Sequence, residues 1–410
     1  MQTRLLNLLT IFVLSCTGLF NQSCLKSNHP GIPAEVVQSI SETGFNRVEL
    51  TKTIAEYIDQ DDSLYLQSAY YLIKHLPHQY AVEYKITDNN DSSLRFEPSQ
   101  FESFEAQEKW WYDHKYNKNG IRYKAKKYTL DKDTITAELL INTIDLALLS
   151  RSFSWTTSYS ANDFFEYVLP YRFGNESLHD WRKSVMENFG WIIDSMKNQT
   201  DPSELITFID VYVDNNFSFD KRYLRVPEPQ KLHEILQSKK GNYQDLAYLK
   251  AMLLRSLGIP ATIDYVPYLA DTTGSFYFAV AKNNNGKFEA LLPPNTGHLF
   301  KQNRIPKVYR RMFSENPNSL FAIKELSLST PPFIGHYHYE DVTSDYVPVS
   351  SAEFTVKNID TLYYTAVYND SMWRAVDWAI TKTPQIVFRD HGKNINYQIM
   401  LVVNDSLVFE

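Results

Sequence analysis

Cysteine is almost absent from this 410-residue chain: the two present, Cys16 and Cys24, both lie at its extreme N-terminus. Everything beyond Cys24 lacks a thiol, which excludes a structural disulfide in the folded body. Dense basic runs are missing too. The 41 Lys and Arg are scattered among 48 Asp and Glu, for a net charge of -7, a balance that argues against neutralising nucleic-acid phosphates. No phosphate-binding glycine loop, dinucleotide fingerprint, internal repeat or low-complexity tract occurs. Long apolar runs are also lacking. The stretch from Leu5 to Ser15 is too short to span a membrane as a mature helix.

What is present is ordinary globular material: 43% hydrophobic and 22% charged residues, with 14% aromatics. That is enough for sizeable cores, and the length predicts two or three domains. The aromatics, mostly Tyr and Phe, are read as packing in preference to surfaces that stack on sugars or peptides. Arg4 followed by the apolar run fits a secretory signal. Val13-Leu14-Ser15-Cys16 resembles a bacterial lipobox, which implies cleavage before Cys16 and lipidation of its thiol, with Cys24 as the second candidate. The alternative is a plain signal peptide with a spectator cysteine.

The pattern then divides the chain. Residues 1–15 read as the signal, 16–35 as a tether and 36–200 as a mainly helical region. In the last, VELTKTIAEYIDQ and SLYLQSAYYLIKHL carry apolar residues at helical spacing. DTITAELLINTIDLALLSRS and the run from Phe164 to Asn198 follow the same spacing, with a break at Pro170. Asp201 and Pro202 open a further helix, beginning an α+β unit over 201–320. Helices come first there, then the strands ATIDYVPYL, SFYFAVAKN and KFEALLP, the last two joined by an Asn-Gly turn at Asn285-Gly286. Residues 321–410 alternate β-formers with turn residues and read as a β-sandwich-like domain.

Within the α+β unit, Asn242 is placed to cap a helix starting at Tyr243, with Asp245 three residues on. Gly258 stops the helix, and Ile259-Pro260 launches a strand. Position 243 thus lies in the field of a helix N-terminus, which lowers the pKa of a cysteine. Here the residue is tyrosine.

Lys240-Gly241-Asn242-Tyr243-Gln244-Asp245-Leu246-Ala247 and Leu257-Gly258-Ile259-Pro260-Ala261 resemble the transglutaminase-like superfamily, whose fold is papain-like, in its secreted bacterial type. The family pattern KG-x-C-x-D/E-x-A puts its nucleophile at Tyr243. Its histidine falls at Ser275 in Thr273-Gly274-Ser275-Phe276-Tyr277. Its aspartate falls at Leu292, after Lys287-Phe288-Glu289-Ala290-Leu291. Asp163 to Arg172 with Trp181-Arg182, and Asp341 to Tyr346, resemble flanking segments of secreted members. The family's chemistry needs a thiolate, an imidazole and a carboxylate, and a phenol, a hydroxyl and an isobutyl group supply none of them.

The resemblance therefore implies a catalytically degenerate domain, without cofactor. It is expected to bind an envelope peptide or glycan through Tyr243, Ser275 and Tyr277, while a lipid anchor holds the exported protein to a membrane. The alternative is acyl transfer or amide hydrolysis at a non-standard site around Ser275, with His298 or His233 as base. His336, His338 and Glu340 would share one face of a strand as a three-ligand metal set. A linker face at a domain boundary is the preferred reading, and no metal is expected.

Overall fold

The computed structural model describes residues 31–323, 331, 333–403 and 406–409. The proposed signal, Cys16 and Cys24 lie outside them. The architecture is α+β. No helix among the described residues is long and apolar enough to cross a membrane.

The N-terminal region is built on α1 (Ala34–Ser41), α2 (Arg47–Tyr57), α3 (Ser63–Lys74), α4 (Phe104–Tyr112) and α5 (Ala137–Ser150). Asp62 caps α3 by accepting the Leu64 N–H. Val36, Ile40, Leu50, Ile54, Leu72, Ile73, Leu140 and Ile144 interlock as its core. The region is not wholly helical, however. An antiparallel pair, β1 (Tyr80–Thr87) and β2 (Arg122–Leu130), runs through its irregular middle. Seven consecutive residues of β2, Arg122 to Tyr128, are exposed. With neither face buried, the sequence carries no apolar alternation to announce a strand.

The helical run expected across Pro170 is also interrupted. Helix α6 (Ala161–Tyr167) stops before α7 (Trp181–Phe189) and α8 (Trp191–Met196). Irregular chain fills 168–180, and much of it is buried. Its carbonyls need donors, and two buried arginines supply them. Arg182 donates to Val168 O at 2.6 Å and to Arg255 O at 3.0 Å. Arg255 donates to Pro170 O, Arg172 O and Ala261 O at 3.1, 3.0 and 2.7 Å.

Arg255 belongs to the central helix. In order come α9 (Pro202–Asn216, capped by Asp201), β3 (Ser218–Phe219), α10 (Leu232–Ser238), β4 (Lys240–Gly241) and α11 (Tyr243–Ser256). Every residue of α11 from Asp245 to Ser256 is buried. One side meets α7 and α9; the other meets an antiparallel sheet of β5 (Ala261–Val266), β6 (Phe276–Lys282), β7 (Phe288–Leu291), β8 (Tyr309–Arg311) and β9 (Tyr339–Asp341), in the order β7-β6-β5-β8-β9. Gly258 turns α11 into β5 at φ +75°, and a Cβ there would lie 2.8 Å from Ser150 O. Only glycine fits.

The C-terminal domain has two sheets. One pairs β10 (Val349–Thr355) with β13 (Gln385–Gly392). The other runs β12-β11-β14-β15, from β11 (Thr361–Asn369), β12 (Met372–Thr381), β14 (Gln398–Val403) and β15 (Ser406–Phe409). Val356, Tyr363, Ile386 and Phe388 pack between them. Strand β9 belongs to the preceding sheet instead, so the α+β unit reaches past residue 320.

A buried polar cluster joins this domain to the core. Lys307 pairs with Asp341 and, at 3.3 Å, with Asp377, and it donates to Arg389 O. His391 lies 3.8 Å from Asp377 and 2.8 Å from Thr365 Oγ1.

Arg255→Met leaves three main-chain carbonyls without their donor. It is expected to lower stability by about 3 kcal/mol or more, since each unsatisfied buried acceptor costs ~1–3 kcal/mol; urea denaturation checks this. Arg255→Lys should rescue little, because an ammonium cannot span the fork of acceptors.

Burial, then the charge of Lys307, pulls His391 down to about 3 from its ordinary 6.5. The unfolded chain therefore takes up this proton first as pH falls. The stability from His391 is complete above pH 6.5 and is lost progressively between 6.5 and 3, at up to ~1.4 kcal/mol per pH unit. Asp377 acts oppositely, its carboxyl being pushed up to about 6 by burial, so a variant comparison isolates the histidine. His391→Gln should flatten the decline in urea midpoint between pH 6.5 and 4.5; an unchanged slope would contradict the assignment.

Candidate functional site

The N-terminus of α11 is held by a reciprocal cap. Asn242 Oδ1 accepts the Asp245 N–H at 3.0 Å, and Asp245 Oδ2 accepts the Asn242 N–H at 2.9 Å. Asp245 also accepts from the Gln230 main chain and side chain at 2.8 and 3.0 Å. A Cβ on Gly241 would press to 2.7 Å from Asp245 Cβ. The parallel pairing of β3 with β4 sets Phe219 opposite Gly241.

That pairing decides the environment of Tyr243. Its half-buried ring stacks on Phe219, centroids 4.1 Å apart and planes 12° from parallel, and meets the edge of Phe276 at 5.2 Å. Burial raises its phenol pKa, the wrong direction for a nucleophile. The hydroxyl makes no hydrogen bond among the described residues. Tyr243 and Leu292 both pack against the apolar cluster containing Val266, Phe276, Phe278 and Val280. Position 243 and position 292 thus share one neighbourhood.

Ser275 is placed differently. It is exposed and precedes β6, and the side chain that meets Tyr243 is Phe276, one residue on. Strand alternation sends Tyr277 to the opposite face, where it stacks on Tyr265 at 5.6 Å and packs against the α11 core. Tyr243, Ser275 and Tyr277 therefore do not form one contact surface. Among the described residues no hydrogen bond links Ser275 to a histidine. His233 is exposed on α10, and His298 is exposed with Nδ1 2.8 Å from Asn295 O.

The alternative three-ligand face also dissolves. Strand β9 starts only at Tyr339, and His336 and His338 are buried, 4% and 6% exposed, against Arg311 and Gln79. Their surroundings are an interior seam, not a solvated linker. Among the described residues no group of three potential ligands is placed to hold a metal ion.

Sequence reasoning missed Phe219 and Phe276 as neighbours of Tyr243. Phe276 was legible in the alternation Phe276-x-Phe278-x-Val280. Phe219 carries no local signal, since only the β3–β4 pairing delivers it. A groove of about 1010 Å3 was missed as well. It lies between β1 and the chain from Tyr223 to Ser238, with Tyr84, Phe96, Tyr223 and Pro229 among its walls. Glu228, on its wall, accepts the Tyr84 N–H through a carboxylate whose pKa is raised by burial.

Chemically, the α11 terminus offers an aromatic wall, and its carboxylate, Asp245, is committed to Asn242 and Gln230. Tyr243→Phe is expected to leave stability within ~0.5 kcal/mol, because the hydroxyl has no partner to lose. Tyr243→Ala should cost about 1–3 kcal/mol through lost burial and ring contacts. Urea denaturation reads both, and a large loss in the phenylalanine variant would show that the hydroxyl is in use.

A family model of the transglutaminase-like superfamily matches residues 192–285. This span contains α9, α10, α11, β5 and β6 and ends just before β7. No curated protein matches the chain. A crystal structure named as a "putative protease" from Parabacteroides distasonis ATCC 8503 is similar at 14% identity and TM-score 0.25, over 53% of this chain. The chain spans 37% of that structure's length. The sequence motifs and the family match agree: residues 192–285 form a transglutaminase-like domain.

Proposed function

We propose that this domain is catalytically degenerate and that the protein binds an extended peptide or glycan chain at the cell envelope. The observation that carries the reading is the Phe219–Tyr243–Phe276 stack at the head of α11. It fills with aromatic rings the place where acyl transfer needs a thiolate and an imidazole. Binding then falls to the groove between β1 and residues 223–238. Its mixed charges, including Glu83, Lys85, Lys126 and Lys231, and its aromatic walls suit a polymer with polar groups along its length. Export and a lipid anchor at Cys16, or at Cys24, complete the proposal. The partners are then an envelope polymer and the membrane that the anchor enters.

The test is thermal denaturation of the protein with peptidoglycan fragments, envelope oligosaccharides and extended peptides, beside an assay for amide hydrolysis. One ligand class should raise Tm. Tyr84→Ala and Phe96→Ala should abolish the rise, while Tyr243→Ala leaves it intact. A rise lost only in Tyr243→Ala would return binding to the head of α11. Hydrolysis that resists thiol reagents and vanishes in Ser275→Ala would replace the proposal with an enzyme.

A further inference from the structure

Among the described residues the buried cations are matched to acceptors, whereas the half-buried Arg311 is not. Arg172 is clamped on Asp131, Arg310 on Asp264, Lys250 on Asp210 and Asp214, and Lys307 on Asp341 and Asp377. Arg182 and Arg255 lack carboxylates but spend their donors on main-chain carbonyls. Arg311, the last residue of β8, does neither. Among the described residues no carboxylate lies within 4.0 Å of it, and its one side-chain hydrogen bond runs to His336 Nε2 at 2.7 Å. Four of its five N–H donors have no described acceptor.

Its surroundings cannot balance the charge. The guanidinium carbon sits 4.8 Å from the centre of the Tyr265 ring, and the phenols of Tyr80, Tyr248 and Tyr277 are its other electrostatic neighbours. All are neutral at physiological pH. His336 and His338 are held below the ordinary histidine range by burial, so they too are neutral. Beside the guanidinium lies a cavity of about 20 Å3, lined by Gln79, Tyr80, Arg172, Arg311, His336 and His338. That volume admits one water or one monatomic ion. A charge withdrawn in part from solvent without a counter-charge is unfavourable, and a water would fill the space without neutralising it.

We propose that this cavity is an anion site in which Arg311 holds a halide-sized ion. The ion would sit at the seam between Gln79 and Tyr80 of the N-terminal region and β8 of the core. Its role is to supply the missing negative charge and tie the two regions together. Tetrahedral oxyanions such as sulfate and phosphate exceed the volume.

The experiment compares thermal denaturation in chloride, bromide, gluconate and sulfate at equal ionic strength, with anomalous diffraction from crystals grown in bromide. Chloride and bromide should raise Tm by a few degrees over gluconate and sulfate, and a bromide peak should lie in hydrogen-bond contact with Arg311. Arg311→Met should erase the halide difference. Should that variant fail to fold, Arg311→Lys keeps the charge with fewer donors and should raise the half-saturating halide concentration on the order of tenfold. Equal Tm in all four salts, an empty cavity in bromide, or a half-saturating concentration unmoved in Arg311→Lys would overturn the assignment.

Discussion

The rest of the structure depends on a pair of arginines that have no carboxylate partner among the described residues. Arg182 and Arg255 are 1% and 2% exposed, and both are pulled down to about 9 by burial. What keeps them inside is not charge pairing but geometry. Six main-chain hydrogen bonds run from them to the irregular chain at 168–172, the last turn of α11 and the first residue of β5. Their flat faces lie over Trp181 and Phe173, at 4.5 and 4.0 Å. A guanidinium tolerates this because it is weakly hydrated and planar, so that one face can stack while its edges donate. The N-terminal region, the central helix and the sheet are thereby fixed against one another at a single point.

From that point the head of α11 inherits its position. The capping box and Gln230 fix its first turn, and the β3–β4 pairing draws Phe219 alongside. The transglutaminase-like framework is kept in detail here: the turn, the buried Asp245, the glycine stop and the antiparallel strands. At the head of the helix the rings of Phe219, Tyr243 and Phe276 pack together. Packing of this kind stabilises the fold at the head of the helix.

The two seams of the molecule are polar and buried, an uncommon choice. The C-terminal domain meets the core through Lys307, Asp341, Asp377 and His391; the N-terminal region meets it through Arg311, His336, His338 and Gln79. Such contacts fix register, because a polar group taken from water must find its partner in place. They also make each seam sensitive to protonation or to small ions, as an apolar seam would not be.

The sequence by itself determined the helix from Tyr243 to Ser256, its Asn242–Asp245 cap and the Gly258 stop, because these are local rules of backbone geometry and apolar spacing. It likewise determined α2, α3 and α9 and most strands of the C-terminal domain, whose one-sided burial writes a period into the chain. It did not announce β1 and β2, since β2 is exposed from Arg122 to Tyr128 and the burial along β1 does not alternate. Tertiary structure alone decided that Phe276, not Ser275, faces Tyr243, a difference of one residue that strand alternation turns into opposite faces. It alone brought Phe219 beside Tyr243 across 24 positions and buried His336 and His338 against Arg311. Contacts between distant segments follow from how elements pack, and no local pattern encodes them.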